Sequence, residues 1–328
     1  MSTLSGAGRR GGRVVSWRDM RRWLLRVWLA LGLALFVYVM RRQPLGSIGD
    51  AVLAMGPIVL AAPALGLVWL ATRTSALARV LGGEVPWREL FVARLVGDGY
   101  NAVVPMAGVA GEPFKLERLR RYIGLDTALT GLVRDRMIDN ALGLLYSAGC
   151  IAVALPAPGG DALATYSVVA TIAGLVLLAL MITKVPGRLG ARVGRWCGDA
   201  TRSPEPLALP VARDVVGWFL ATRVLQTCET ALLLHAIGMP ASLRTVVLVD
   251  GALNAAGFLG FMLPQGLGVV EGTAVFLLTA LGASPAAATA FALTRRARVI
   301  GLSLVGIATH VAGLGTVRRG PFRVLDRS

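Results

Sequence analysis

Residues 89–111 read ELFVARLVGDGYNAVVPMAGVAG, and residues 246–272 read VVLVDGALNAAGFLGFMLPQGLGVVEG. Both stretches are apolar over most of their length, yet neither suits a regular helix facing lipid. Arg94, Asp98 and Asn101 interrupt the first, and Pro105, Gly108 and Gly111 follow them. The second breaks between Pro264 and Gly272. Proline removes a backbone donor, and glycine loosens the chain. Irregular backbone at membrane depth survives only where protein or a water-filled cavity surrounds it. The two stretches therefore predict re-entrant or broken hairpins held inside a helical membrane protein.

The rest of the chain fits that frame. Of 328 residues, 55% are hydrophobic, and the mean hydropathy is +0.67. The apolar residues fall in blocks of about 20, the length that crosses a bilayer's hydrocarbon core. These blocks predict membrane helices near 23–40, 51–72, 127–157, 162–183, 213–237 and 286–316. Pro57 and Pro63 predict a kink or a broken start in the second of them. Residues 112–126 are basic and amphipathic, the pattern of an interfacial segment. The predicted fold is an all-α integral membrane protein with about six transmembrane helices plus the two hairpins.

A net charge of +16 invites a nucleic-acid reading. The basic residues form no stripe interleaved with aromatics, however. They sit between the apolar blocks, as in cytoplasmic membrane loops. Segments 1–26, 73–90, 112–126, 184–213 and 317–328 hold 24 Lys and Arg, against 3 in 41–50, 157–161 and 238–245. Both termini are thus expected on the cytoplasmic side of a bacterial-type inner membrane, beside an anionic lipid surface. The expected organisation is a basic segment 1–22, membrane halves 23–157 and 158–316 with a basic linker 184–211 in the second, and a tail 317–328. The first apolar run lacks a small-residue cleavage site, so it is expected to remain as an anchor.

The hairpins share a spacing. Pro105 and Glu112 lie seven residues apart, as do Pro264 and Glu271, and Glu112 to Arg136 matches Glu271 to Arg295. All three matches fall at an offset of 159 residues. Three membrane crossings per half would set the halves in opposite orientations, the inverted-repeat plan of many transporters.

Charges inside membrane helices are costly and usually face a cavity with partners. The first candidate cluster is Asn101, Pro105, Gly108, Gly111 and Glu112 with Asp135, Arg136 and Asp139. Arg136 and Asp139 share a helix face and can pair. The second cluster is Pro264, Gly266, Gly268 and Glu271 with Arg295 and Arg298. Breaks of this kind free backbone groups to meet a headgroup, and a helix N-terminus favours phosphate. Arg223, Gln226 and Glu229 form a secondary polar stripe on the fifth predicted helix, the usual glue between helices. The cysteines at 150, 197 and 228 form no CxxC, and His235 and His310 are isolated. No metal site or cofactor is expected, and no nucleophile–base pair, Walker loop or dinucleotide fingerprint supports an enzyme.

The runs NAVVPMAGVAGEPFKLERLRR, RDRMIDN, LPQGLGVVEG and TRRARVIG resemble the lysylphosphatidylglycerol synthase transmembrane-region family, also called flippase-like, over about residues 20–316. Asn101, Pro105, Gly111 and Glu112 fit one family motif. Pro264, Gly266, Gly268, Glu271 and Gly272 fit a second, and Asp135, Arg136 and Asp139 a third. The TRRAR stretch resembles the branch found beside hopanoid-synthesis genes. Ala110 stands where a first Gly of Gly-Gly-Glu is common, and Asp135 where Glu is common. The resemblance implies a lipid flippase or lipid-export factor whose substrate is a membrane lipid. Some members are fused to an aminoacyl-transferase domain, which is not expected in a chain ending at Ser328. The alternatives are a membrane-embedded lipid-modifying enzyme subunit and a scaffold that docks a cytosolic lipid synthase on the basic loops.

The charge asymmetry makes a direct prediction. Reporter fusions at Gly46, Gly160 and Ser328 should report outside, outside and inside. An outside signal at Ser328 would remove both the orientation and the inverted arrangement.

Overall fold

The computed structural model describes residues 44–104, 109–154, 161–181, 207–260 and 263–312, with seven further positions between Val27 and Arg41. Pro105 and Gly108 lie outside the described residues, as do segment 1–22, most of helix 23–40, most of linker 184–211 and the tail 317–328. Among the described residues the chain forms ten α-helices, one 3-10 turn and no strand. They are α1 (Leu45–Ala54), α2 (Ile58–Val80), α3 (Trp87–Val103), α4 (Glu112–Leu119), α5 (Leu125–Ala154), α6 (Asp161–Met181), α7 (Leu209–Ala236), α8 (Leu243–Leu259), α9 (Val269–Ala280) and α10 (Pro285–Val311).

The polarity is inverted relative to a soluble protein. Leu53, Phe276 and Val311 are 78%, 77% and 76% exposed, while Arg94 and Glu229 are each 1% exposed. Lipid is the solvent that accepts the first set, and only protein or enclosed water can accept the second. Among the described residues, α2 and α5 alone are long and apolar enough to cross a membrane by composition. α3 is too short at 17 residues, and α7 and α10 are made less apolar by Arg223 and Glu229 and by Arg295, Arg296 and Arg298.

The expected helix 51–72 is broken at its start. α1 stops at Ala54, Gly56 takes φ +59°, and Pro57 caps α2, where a missing donor costs nothing. α2 then runs past residue 72 to Val80. This corrects the loop assignment of Arg73, which belongs to a helix interior.

Three pairings organise the core. α2 and α7 lie antiparallel. Ala62 clusters with Leu233 and Leu234, Thr72 meets Thr222 at 2.7 Å between hydroxyls, and Ala76 and Val80 cluster with Ala212 and Val215. α3 packs on α10, where Gly306 lies against the Leu95 backbone and Gly99 against Ser303. α5 packs on α8, where Gly251 lies against Cys150 and Arg244 donates to the Ala154 carbonyl at 2.9 Å. α3 and α8 are 17 residues each; each ends at a break, then a short helix, then a long one.

At the first break α4 folds back under α3. The Gly111 N–H donates to Asn101 Oδ1 at 2.7 Å, and Tyr100 stacks on Phe114 at 3.9 Å with His310 edge-on to both. Lys115, Arg118 and Leu119 are buried while Pro113, Glu117 and Arg120 are exposed, so α4 packs one face of its amphipathic pattern on the protein. The second break is a turn of left-handed backbone, with Gln265, Gly266 and Gly268 at φ 50°, 65° and 81°.

The close approach of α4 is a measurable constraint. A Cβ on Gly111 would stand 1.9 Å from the Gly97 carbonyl oxygen. Gly111→Ala should therefore open the hairpin and cost about 1–3 kcal/mol or more, read as a lower melting temperature in detergent. Gly217→Ala, with nothing within 4 Å of its Cβ, should leave the melting temperature level or slightly raised.

Candidate functional site

A cavity of about 710 Å³ opens between the three core pairings. Its wall takes residues from α2, α3, α5, α7, α8, α9 and α10 and from the second break. Six arginines line it, at 73, 136, 223, 295, 296 and 298. Four carboxylates do so as well, at 98, 139, 250 and 271, which leaves an excess of positive charge.

Two ion-pair networks hold these charges. In the first, Asp139 of α5 receives Arg73 of α2 at 2.5 Å and Arg223 of α7 at 2.9 Å. Asp98 receives Lys115 at 3.2 Å and Arg73 at 3.6 Å, and Lys115 also reaches Glu112 at 3.1 Å. Glu112 and Arg136 of the first candidate cluster meet at 3.5 Å. Asp139 takes its two close partners, Arg73 and Arg223, from other helices. Asp135 turns away from the cavity to Arg94 at 2.7 Å, and both are buried.

In the second network the expected Glu271–Arg295 pair is replaced. Glu271 pairs with Arg296 at 3.2 Å, and Arg296 also donates to the Gln265 carbonyl at 3.2 Å. Adjacent helix positions point about 100° apart, so α9 meets the Arg296 face of α10 and α7 and α8 meet the Arg295 face. Arg295 donates to Thr230 at 2.9 Å and stands 3.6 Å from Asp250. Arg298 is bound to Glu229, and Arg223 reaches Gln226 at 3.0 Å. The polar stripe of α7 is thus helix glue in geometry, and Glu229 and Gln226 are part of it. Trp69 lies between the networks, with Arg73 and Arg298 at 5.6 and 5.4 Å from its ring.

The helix N-termini at the breaks are not open phosphate sites. Glu271 Oε2 accepts the Gly268 N–H at 2.7 Å, so α9 caps itself, and Asn101 takes the Gly111 N–H that precedes α4. Anion recognition in the cavity therefore falls to side chains. Of the candidates, Asn101, Arg136, Asp139, Arg223, Gln226, Gly266, Glu271, Arg295 and Arg298 line the cavity. Gly111, Glu112, Gly268, Asp135 and Glu229 are not among the lining residues, and Glu112 and Glu229 reach the wall by pairing with Arg136 and Arg298. The sequence reading passed over Trp69, Arg73 and Asp250. Asp250 carried a usable signal, an acid inside an apolar run, whereas Arg73 was hidden by a misplaced helix end. Among the described residues no three His, Cys, Asp or Glu come together as metal ligands.

The Glu229–Arg298 pair allows a stability test. Glu229→Leu strands a buried guanidinium and should cost about 3–5 kcal/mol, read as loss of folded protein or a lower melting temperature. Adding Arg298→Met should restore most of that loss. A double variant no better than the single would show that the pair is not what holds these helices.

Comparison with individual curated proteins finds no match. Against known protein families, the description "Lysylphosphatidylglycerol synthase TM region" matches residues 23–306. That match does not single out the hopanoid-associated branch. With an apolar exterior, a charged interior and a match over most of its length, the chain belongs to the lysylphosphatidylglycerol synthase transmembrane-region family, a lipid-related family of membrane proteins.

Proposed function

We propose that the protein translocates or exports a polar or amphiphilic lipid across the bacterial inner membrane, with the headgroup passing through the central cavity. The cavity carries this reading. Six arginines against four carboxylates line it, inside a molecule whose outer face is apolar. A headgroup with phosphate or hydroxyl groups finds donors there, while its acyl chains keep to the lipid-facing surface. Arg136 and Arg295 are the headgroup contacts: both line the cavity, and the acid nearest Arg295, Asp250, stands off at 3.6 Å. Arg73, Arg223 and Arg298 are framework, each bound to a carboxylate at 2.9 Å or less.

The two halves act as an inverted repeat in this reading. Exchanging α2–α5 for α7–α10 turns the α3–α10 contact into the α8–α5 contact and leaves the antiparallel α2–α7 pair at the centre. An arrangement with two related packings suits alternating access, in which one half rocks against the other around a fixed site. Both termini face the cytoplasm, where the basic loops meet anionic lipid.

Proteoliposomes test this. Acyl-labelled phosphatidylglycerol and phosphatidylcholine are bleached from outside by an impermeant reductant, and bleaching beyond the outer-leaflet fraction reports translocation. Arg136→Gln and Arg295→Gln should slow translocation about tenfold or more, the worth of one hydrogen bond to a charged group, in protein that still inserts and folds. Equal rates in folded variants would remove the site assignment. Chemical conversion of a lipid by pure protein would instead favour the enzyme, and co-purification of a cytosolic synthase the scaffold.

A further inference from the structure

We infer that Asp250 is a proton site and that an anionic headgroup and a proton enter the cavity together, the transport step of which rests on the translocation reading above. Among the described acids of the cavity wall, Asp250 is exceptional. Asp139, Asp98 and Glu271 each have a cation within 3.2 Å. The nearest cation to Asp250 is Arg295, at 3.6 Å, beyond hydrogen-bond distance. The carboxylate is nevertheless 4% exposed, on α8, at the cavity wall.

Hydroxyls take the place of a cation around it. Tyr146 of α5 stands 2.6 Å from Asp250 Oδ2, Thr230 of α7 is 2.8 Å from Oδ1, and Thr227 of α7 is 3.2 Å from Oδ2. A hydroxyl both donates and accepts, so this shell fits a carboxylate or a carboxylic acid. Thr227 has one proton and three oxygens in reach, those of Asp250, of the Arg223 carbonyl at 2.8 Å and of the Tyr146 hydroxyl at 2.6 Å, so it can donate elsewhere and turn its own oxygen toward an Asp250 O–H. A guanidinium cannot do this. In the other half the corresponding helices, α3 and α5, are joined by Arg94 and Asp135 at 2.7 Å, a locked pair with no such freedom.

The other charges facing Asp250 are already committed. From α7, Arg223 is held by Asp139 and Glu229 by Arg298. From α10, Arg298 is therefore neutralised, and Arg295 is bound by the Thr230 hydroxyl. From α5, Tyr146 and the buried thiol Cys150 complete the surroundings. Arg295 is thus the cation that Asp250 and an incoming anion share.

The exchange balances. A phosphodiester anion entering the cavity draws the Arg295 guanidinium onto itself. Asp250 is then a buried carboxylate without a counter-charge, and it takes a proton from cavity water to become a carboxylic acid. One negative charge and one proton enter together, with no net charge moved. Release on the opposite face returns Arg295 to Asp250 and expels the proton. Translocation of an anionic lipid then follows a pH gradient and ignores a voltage.

Two arms test this separately. In the binding arm, purified protein in weakly buffered detergent near neutral pH receives dioctanoyl-phosphatidylglycerol, and a pH indicator counts protons. The expected result is about one proton taken up per lipid bound, and no proton uptake with Asp250→Asn. Dioctanoyl-phosphatidylcholine, with no net charge, should bring no uptake. Binding of phosphatidylglycerol by the natural protein without proton uptake overturns the inference, as does unchanged uptake in Asp250→Asn. So does failure to bind phosphatidylglycerol at all. In the transport arm, proteoliposomes with an imposed pH gradient should move labelled phosphatidylglycerol several-fold faster in one gradient direction than in the other. A potassium–valinomycin voltage should change nothing. Proton uptake without translocation would sink the translocation reading and keep the proton site. Translocation indifferent to the gradient would do the reverse. The measurements on the natural protein decide the matter even if Asp250→Asn fails to fold.

Discussion

A carboxylate inside an apolar membrane protein needs a cation beside it, and Asp139 has two. Arg73 from α2 and Arg223 from α7 both close on it, at 2.5 and 2.9 Å. This one acid therefore joins α5 to the antiparallel α2–α7 pair at the centre of the molecule. Breaking a buried pair by removing one partner costs about 3–5 kcal/mol, because the remaining charge is left without solvent. The remaining geometry follows from keeping these charges together. α2 must continue past residue 72 to deliver Arg73, and α4 must fold under α3 to bring Lys115 to Asp98.

The same constraint separates framework from site. Glycines allow the backbones to close at Gly97 and Gly111, where no side chain fits. Asn101 and Glu271 satisfy the backbone donors that the breaks expose. Once those groups are satisfied, what faces the cavity is an arginine-rich wall that includes Arg295, whose acid stands off at 3.6 Å. Rigid packing at the crossing helices and loose pairing at the wall are complementary. The first keeps the cavity open, and the second leaves that cation able to change partner without disturbing the fold.

The sequence by itself determined the class of fold. Apolar blocks of membrane length, basic gaps, and two Pro/Gly breaks with charges inside them leave few alternatives to a helical membrane protein with a polar interior. The residues Asn101, Glu112, Arg136, Glu271 and Arg295 were legible because a charge or amide in an apolar run stands out against its neighbours. Helix ends were less legible: Arg73 looked like the first residue of a loop, since hydropathy alone cannot tell a buried cation from a flanking one.

Pairing was decided only by the tertiary structure. Spacing along a helix says which side chains share a face, but not which helix arrives opposite that face. Arg136 and Asp139 share a face, yet Asp139 belongs to Arg73 and Arg223, which come from helices distant in sequence. Glu271 was matched to Arg295 by offset, yet a rotation of about 100° between neighbouring positions hands it to Arg296. Asp250 gains its meaning only in three dimensions, where α5, α7 and α10 converge on it with three hydroxyls and one distant guanidinium. Local sequence determines where a charge lies along the chain; the packing of distant helices determines what neutralises it.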